Sequence, residues 1–212
     1  MIPARLHAIW VGSPLPTQFQ HFMEGWQRLH PAWAFQMWGE AELASLDMVN
    51  RDIYDRADEL CPGLSGQLRS DVARLEILYR YGGVYIDTDF ECLKPIDDLL
   101  EGVDCFAAWV VPGQWLNNAI MGAAPIHPFI GRLIDEMPAR IAAYPGQAPR
   151  VVSGPQYMTA VWKEHPEGVT LFEKPLFYPY LWSELGRGHE RFPGAYGVHH
   201  WGNRRRERGK EL

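Results

Sequence analysis

Apolar and polar positions along this chain follow two rhythms, one near two residues and one near 3.6, and their order predicts strands interleaved with helices. Residues 5–11 (RLHAIWV) form an apolar run of strand length, with the loop Gly12-Ser13-Pro14-Leu15-Pro16 at its carboxyl end. Thr17 is placed to cap a helix reaching Leu29, and residues 33–38 (WAFQMW) read as a second strand before a polar helical region through residue 60. Leu68, Val72, Leu75 and Tyr79 then recur at helical spacing, which makes a core-facing stripe. Asp71 and Arg74, three apart, fall on a neighbouring face.

Gly82-Gly83 ends that helix with residues that accept left-handed backbone angles, and the apolar Val84-Tyr85-Ile86 opens a buried strand. If the strand continues, its alternation sends Tyr85, Asp87 and Asp89 to one side and Val84, Ile86 and Thr88 to the other. Beyond it, Pro95 opens a short acidic helix, IDDLLEG. Residues 105–111 and 118–124 have the length and composition of two more strands, separated by a Pro-Gly loop. A helix is predicted over 127–144, broken or kinked at Pro138, and another from the cap Ser153-Gly154-Pro155 through His165. The aromatic stretch 172–182 reads as an ordered loop, and GVHHW at 197–201 as the last strand.

This order predicts an α/β protein with a mixed, mostly parallel sheet flanked by helices. It forms one domain over residues 1–203, followed by a basic tail at 204–212. Ligands of such sheets sit beyond the carboxyl ends of the strands, where both Gly12 and the aspartate pair fall, so one site is expected rather than two.

Composition narrows the function. With 212 residues, 47% hydrophobic content and nine tryptophans, the chain can bury one sizeable core. A formal charge of −6 argues against nucleic acid as a partner. RRRERGK at 204–210 is the local exception, read as a soluble terminus or as a peripheral contact with anionic lipid. Cys61, Cys92 and Cys105 form no CxxC pair and suggest neither a disulfide framework nor a zinc site. The start MIPARLHAIWVG lacks the regions of a signal peptide, so a cytoplasmic location is expected, with any membrane contact at the inner face.

Two carboxylates one residue apart imply a hard cation, a shared proton or plain exposure. A calcium loop counted from Asp87 would need glycine at Cys92 and glutamate at Asp98, so that reading fails. An aspartyl phosphatase also uses a strand followed by D-x-D, but Glu91 departs from its pattern.

IPARLHAIWVG, SDVAR at 70–74, LYRYGGVYIDTD at 78–89, the following LKP and the late VHHW together resemble the family 32 glycosyltransferases, which share a sugar-binding region with a DXD motif. That group includes the Och1-like mannosyltransferases and, more distantly, the clostridial glucosylating toxins. The resemblance implies a GT-A fold, a nucleotide-sugar donor, a divalent metal (Mn2+, or Mg2+) and transfer with retention to a glycan or lipid-linked acceptor. UDP-sugars are favoured over GDP-mannose. It further implies that Asp87 and Asp89 hold the metal with His199, and that Asp71 and Arg74 contact the donor sugar and diphosphate. Asn118, in preference to Asn117, lies near the sugar, and Trp10 stacks on the base. Where many relatives carry a late Ser-Trp pair this chain runs GNRRRERGK, so Trp201 is a candidate for a stacking role. The blander readings are a buried Trp10, a surface Asp71–Arg74 ion pair worth ~0.3 kcal/mol, a helix cap at Ser153, and an exposed His199-His200 pair. A sugar-nucleotide hydrolase and a catalytically silent binding module remain alternatives to the transferase.

Overall fold

The computed structural model describes residues 1–202, and the predicted basic tail lies outside the described residues. In chain order the strands are β1 Arg5–Ile9, β2 Ala34–Trp38, β3 Gly83–Ile86, β4 Phe90–Cys92, β5 Cys105–Val111, β6 Trp115–Ala123, β7 Thr170–Phe172 and β8 Gly197–His199. The helices are α1 Thr17–Leu29, α2 Glu40–Ser45, α3 Arg51–Asp55, α4 Ala57–Leu60, α5 Ser65–Tyr81, α6 Pro128–Ala143, α7 Pro149–Val152, α8 Pro155–Glu164 and α9 Lys174–Phe177. No helix among the described residues is long and apolar enough to cross a membrane.

Six strands form one sheet in the order β2-β1-β3-β6-β5-β7. β1 pairs in parallel with β2 and β3, β7 pairs in parallel with β5, and β6 runs antiparallel between β3 and β5. The sheet is therefore mixed and mostly parallel, as the pattern predicts. The pleat divides the core in two. Tyr85 packs towards α5, α6 and α8, whereas Val84 and Ile86 pack with α1, β4 and the aromatic stretch Phe177, Tyr178 and Tyr180. That stretch is ordered, as expected, but it carries β7 and α9 on either side of Glu173.

Several details differ from the sequence reading. Thr17 begins α1 instead of capping it, with Pro16 at the cap position. β6 starts at Trp115 rather than at residue 118, so Asn117 lies inside the strand rather than before it. Pro138 sits within an unbroken α6. It has no N–H for the carbonyl of Ile134, four residues earlier, and the side-chain amide of Asn50 donates to that carbonyl instead (2.8 Å).

α5 is more deeply placed than an amphipathic surface helix. From Asp71 to Leu78 every residue is buried, because β1, β3 and β6 cover one side and α3, α4, α6 and α7 the others. Polar groups within that span consequently face protein rather than water.

The Gly82-Gly83 turn sets the angle between α5 and β3, and both glycines have positive φ (62° and 101°). A Cβ at Gly83 would stand 2.6 Å from the carbonyl oxygen of Arg5, in the neighbouring strand. Gly83→Ala is expected to destabilise by about 3 kcal/mol, a fall in Tm of roughly 6–12 °C in a thermal melt. A loss below 1 kcal/mol would show that β1 and β3 can separate freely.

His7 locks the same corner. Its Nδ1 accepts from the Trp38 indole (3.1 Å) and its Nε2–H donates to the Gly82 carbonyl (2.9 Å), which requires the neutral ring. Burial pushes its pKa down to about 4, against the hydrogen bond to Gly82. The unfolded chain takes up this proton near pH 6.5, the native one only near 4. The stabilisation is complete above pH 6.5 and is lost as pH falls towards 4, by up to about 3 kcal/mol. Urea titrations at pH 7.5 and 4.5 should show that loss in the wild type and a much smaller one in His7→Gln.

Candidate functional site

β3 ends at Ile86, not at Asp89. The Asp87 N–H makes a last bond to the Ala119 carbonyl (2.8 Å), and the chain then turns so that the Phe90 N–H donates to the Asp87 carbonyl (3.0 Å). The two carboxylates thus meet through a turn rather than through strand alternation. Immediately after it, β4 pairs antiparallel with β8, setting Phe90 opposite His199. That two-stranded sheet, joining residues more than a hundred positions apart, is invisible to local patterning. It carries the imidazole to the aspartates.

One ligand atom each from Asp87, Asp89 and His199 lies within 4.8 Å of the others. His199 Nε2 is 3.1 Å from Asp89 Oδ1 and 3.9 Å from Asp87 Oδ2. Asp89 Oδ2 accepts from the Gly202 N–H (2.6 Å), and its carbonyl accepts from the His200 N–H (3.0 Å). His200 turns away, with Nε2 on Glu91 (2.9 Å) and its ring stacked on Phe22. Of the two histidines, His199 alone faces the aspartate pair.

The charges are arranged unequally. Burial raises the Asp87 carboxyl above the ordinary range despite Arg74, and the neighbouring Asp89 adds to that rise. Burial also acts on Asp89, but His199 and the Gly202 N–H outweigh it and hold this carboxyl at about 2. His199 is desolvated too, yet Asp89 and Asp87 raise its pKa. Two carboxylates and one imidazole make a donor set suited to Mn2+ or Mg2+, with hard oxygens dominant.

Arg74 and Asp71 stand beside this cluster. They are 3.2 Å apart with side chains only 6% and 8% exposed, so the surface ion pair considered above is corrected to a buried one. Arg74 also reaches Asp87 (3.3 Å), the Asn118 carbonyl (2.5 Å) and Ser70 Oγ (2.9 Å), and lies over the Tyr85 ring. Asp71 accepts from the Asn118 amide (2.8 Å) and from Ser153 Oγ (2.8 Å). Ser153 therefore makes no cap for α8, whose cap position is Gly154. Burial raises the Asp71 carboxyl, opposed by Arg74. Tyr85, absent from the sequence-level site, donates its hydroxyl to Asp87 (2.7 Å). The shared pleat side of Tyr85 and Asp87 was its only signal.

A cavity of about 520 Å3 joins these groups. Trp10 and Asn117 line it together with Asp71, Arg74, Asp87, Asp89, Asn118 and His199. Trp10 is only half-buried, its indole N–H bound to the Ser13 carbonyl (2.7 Å), so it is not a core tryptophan. Asn117 and Asn118 arrive because antiparallel β6 runs past the end of β3, and a bulge against β5 falls beside them. Trp201 touches the cavity but is packed, 4.2 Å from the His199 ring and in contact with Tyr178 and Trp182. Its position supports the imidazole more directly than it offers a stacking face.

A mixed sheet with an Asp-x-Asp turn at its carboxyl edge is the architecture of the GT-A glycosyltransferases. The PaToxG glycosyltransferase superposes with a TM-score of 0.61 at 14% identity, over 78% of this chain and 70% of that one. The UDP-bound glycosyltransferase domain of the YGT toxin gives 0.56 at 12%, over 80% and 79%. Residues 16–105 match the family described as glycosyltransferase sugar-binding region containing DXD motif, in agreement with the resemblance read from the sequence. Inositol phosphoceramide mannosyltransferase 3 of Schizosaccharomyces pombe is 26% identical over 165 residues, which are 76% of this chain and 45% of that protein. The chain spans less than half the length of that curated relative.

Proposed function

We propose that this protein is a metal-dependent, retaining glycosyltransferase that moves a hexose from a nucleotide sugar to a glycan or lipid-linked acceptor. The observation that carries the reading is the convergence of Asp87, Asp89 and His199 in the same cavity as Trp10, Asp71 and Arg74. Its volume, about 520 Å3, falls within the usual range for small-molecule sites.

Asp87, Asp89 and His199 would hold the Mn2+ or Mg2+, which when bound supplies positive charge to the departing diphosphate. Arg74, fixed by Asp71, Asp87 and Ser70, keeps a guanidinium beside that position without needing to reorganise. Trp10 offers an indole face to the base. Asn118, held by Asp71, would lie near the sugar.

Retention through a covalent intermediate would require a free carboxylate at the anomeric carbon. Among the described residues lining the cavity the carboxylates are Asp71, Asp87 and Asp89. Both oxygens of Asp71 are engaged, and the others form the metal-binding pair. That favours a same-face mechanism, in which the leaving phosphate takes the acceptor proton and the protein orients the two substrates.

UDP-sugars are the first donors to test, with GDP-mannose beside them because a mannosyltransferase is among the relatives. The ceramide in that relative's name supports a lipid-linked acceptor. Three buried free thiols, Cys61, Cys92 and Cys105, accord with a cytoplasmic setting at the inner membrane face. In a thermal-shift screen of nucleotides with Mn2+, Mg2+ or EDTA, one nucleotide at saturating concentration should raise Tm by about 5–10 °C only with metal present. No shift with any nucleotide, in folded protein, would overturn the assignment in favour of a silent module or a phosphatase.

A further inference from the structure

Across α7 from the donor cavity lies a second cavity of about 580 Å3. Leu60, Leu68, Pro138, Ile141, Tyr144 and Val152 give it a largely apolar wall. Its charged rim is internally matched, since Arg56 is held by Asp52 (3.0 Å) and Glu59 (2.8 Å).

The two cavities share a partition. Gly63 and Leu64 line the first, while Cys61, Pro62 and Leu68 line the second. On α7, Arg150 lines the first and Val152 the second. Arg74, the other arginine lining the first cavity, is buried and paired. Arg150 is exposed and has no ion-pair or hydrogen-bond partner among the described residues.

We propose that the second cavity holds the hydrocarbon tail of the sugar acceptor, and that Arg150 takes a phosphate in the headgroup between that tail and the donor site. This rests on the glycosyl-transfer reading. Apolar walls select a tail over a sugar. With the two cavities on either side of α7, a headgroup crossing that helix would reach the donor cavity, where an uncommitted guanidinium complements an anion.

The test is calorimetry on the full chain with dodecyl phosphate below its micelle concentration, dodecyl maltoside and inorganic phosphate. Dodecyl phosphate should bind most tightly. Ala142→Trp, at an exposed position lining the second cavity, should weaken both dodecyl probes by about tenfold, the equivalent of roughly two buried methylenes. Tyr144→Asp, at the exposed rim, should do the same. Arg150→Ala should weaken dodecyl phosphate alone, bringing it level with the maltoside. Wild-type affinity for dodecyl phosphate in Ala142→Trp and Tyr144→Asp, or equal affinity for inorganic phosphate in the wild type, would overturn the proposal. Nucleotide with Mn2+ should still raise the Tm of Ala142→Trp. If that shift is present and tail binding is not, the acceptor site falls alone. If tail binding is present and no nucleotide binds even the wild type, it is the transferase reading that falls.

Discussion

Asp89→Asn is expected to reduce sugar transfer by on the order of 10^3-fold, about 4 kcal/mol of barrier, while the protein stays folded. The two halves of that expectation have separate causes. Asp89 stays ionised, its carboxyl held at about 2 by His199 and the Gly202 N–H over the opposing effect of burial. Asparagine removes that charge from the cluster formed with Asp87 and His199. It nonetheless keeps both local bonds, because its carbonyl can accept from Gly202 and its amide can donate to a neutral His199. A transfer assay should therefore lose its signal while circular dichroism still reports a folded protein with a modestly lowered Tm. Full activity with metal present would remove Asp89 from the reaction.

Arg74→Met should have the largest effect on stability, about 3–5 kcal/mol, and should also stop transfer. Arg74 lies between Asp71 and Asp87 with 6% of its side chain exposed. Without it, two buried carboxylates lose their shared cation, and Ser70 and the Asn118 carbonyl lose a donor. Arg74→Lys should recover only part, since one ammonium cannot span the same fork of partners. Adding Asp71→Asn to Arg74→Met should return some of the loss, because one unpaired charge disappears with it. Urea unfolding of the single and double variants measures that coupling. A single-variant loss below 1 kcal/mol would make this an ordinary surface pair.

The elements legible in the sequence are those set by contiguous residues. β5 coincides with the apolar run 105–111, and the turn after α5 lies at Gly82-Gly83 because only that pair tolerates the geometry there. Asp71, Arg74, Asp87, Asp89, Asn118 and His199 do gather in one cavity. What escaped local reading depends on distant partners. Pro138 reads as a break in α6, yet the side chain of Asn50, 84 positions before Ile134, satisfies the carbonyl that the proline leaves open. Ser153 has the appearance of a cap, yet its hydroxyl is claimed by Asp71, 82 positions away. The strand end at Ile86 and the three-residue pairing of β4 with β8 arise the same way, from chain that no local window contains.

The pairing of β4 with β8 also fixes an order of events during synthesis. By the time Asn118 has been made, Trp10, Asp71, Arg74, Asp87 and Asp89 already exist, but His199 is 81 residues further on. At 5–20 residues per second, that interval is roughly 4–16 s. Throughout it the nascent chain has its carboxylates but no imidazole between them, and no Gly202 N–H on Asp89. A ribosome-bound fragment therefore holds only two of the three residues proposed to bind metal until His199 has been made.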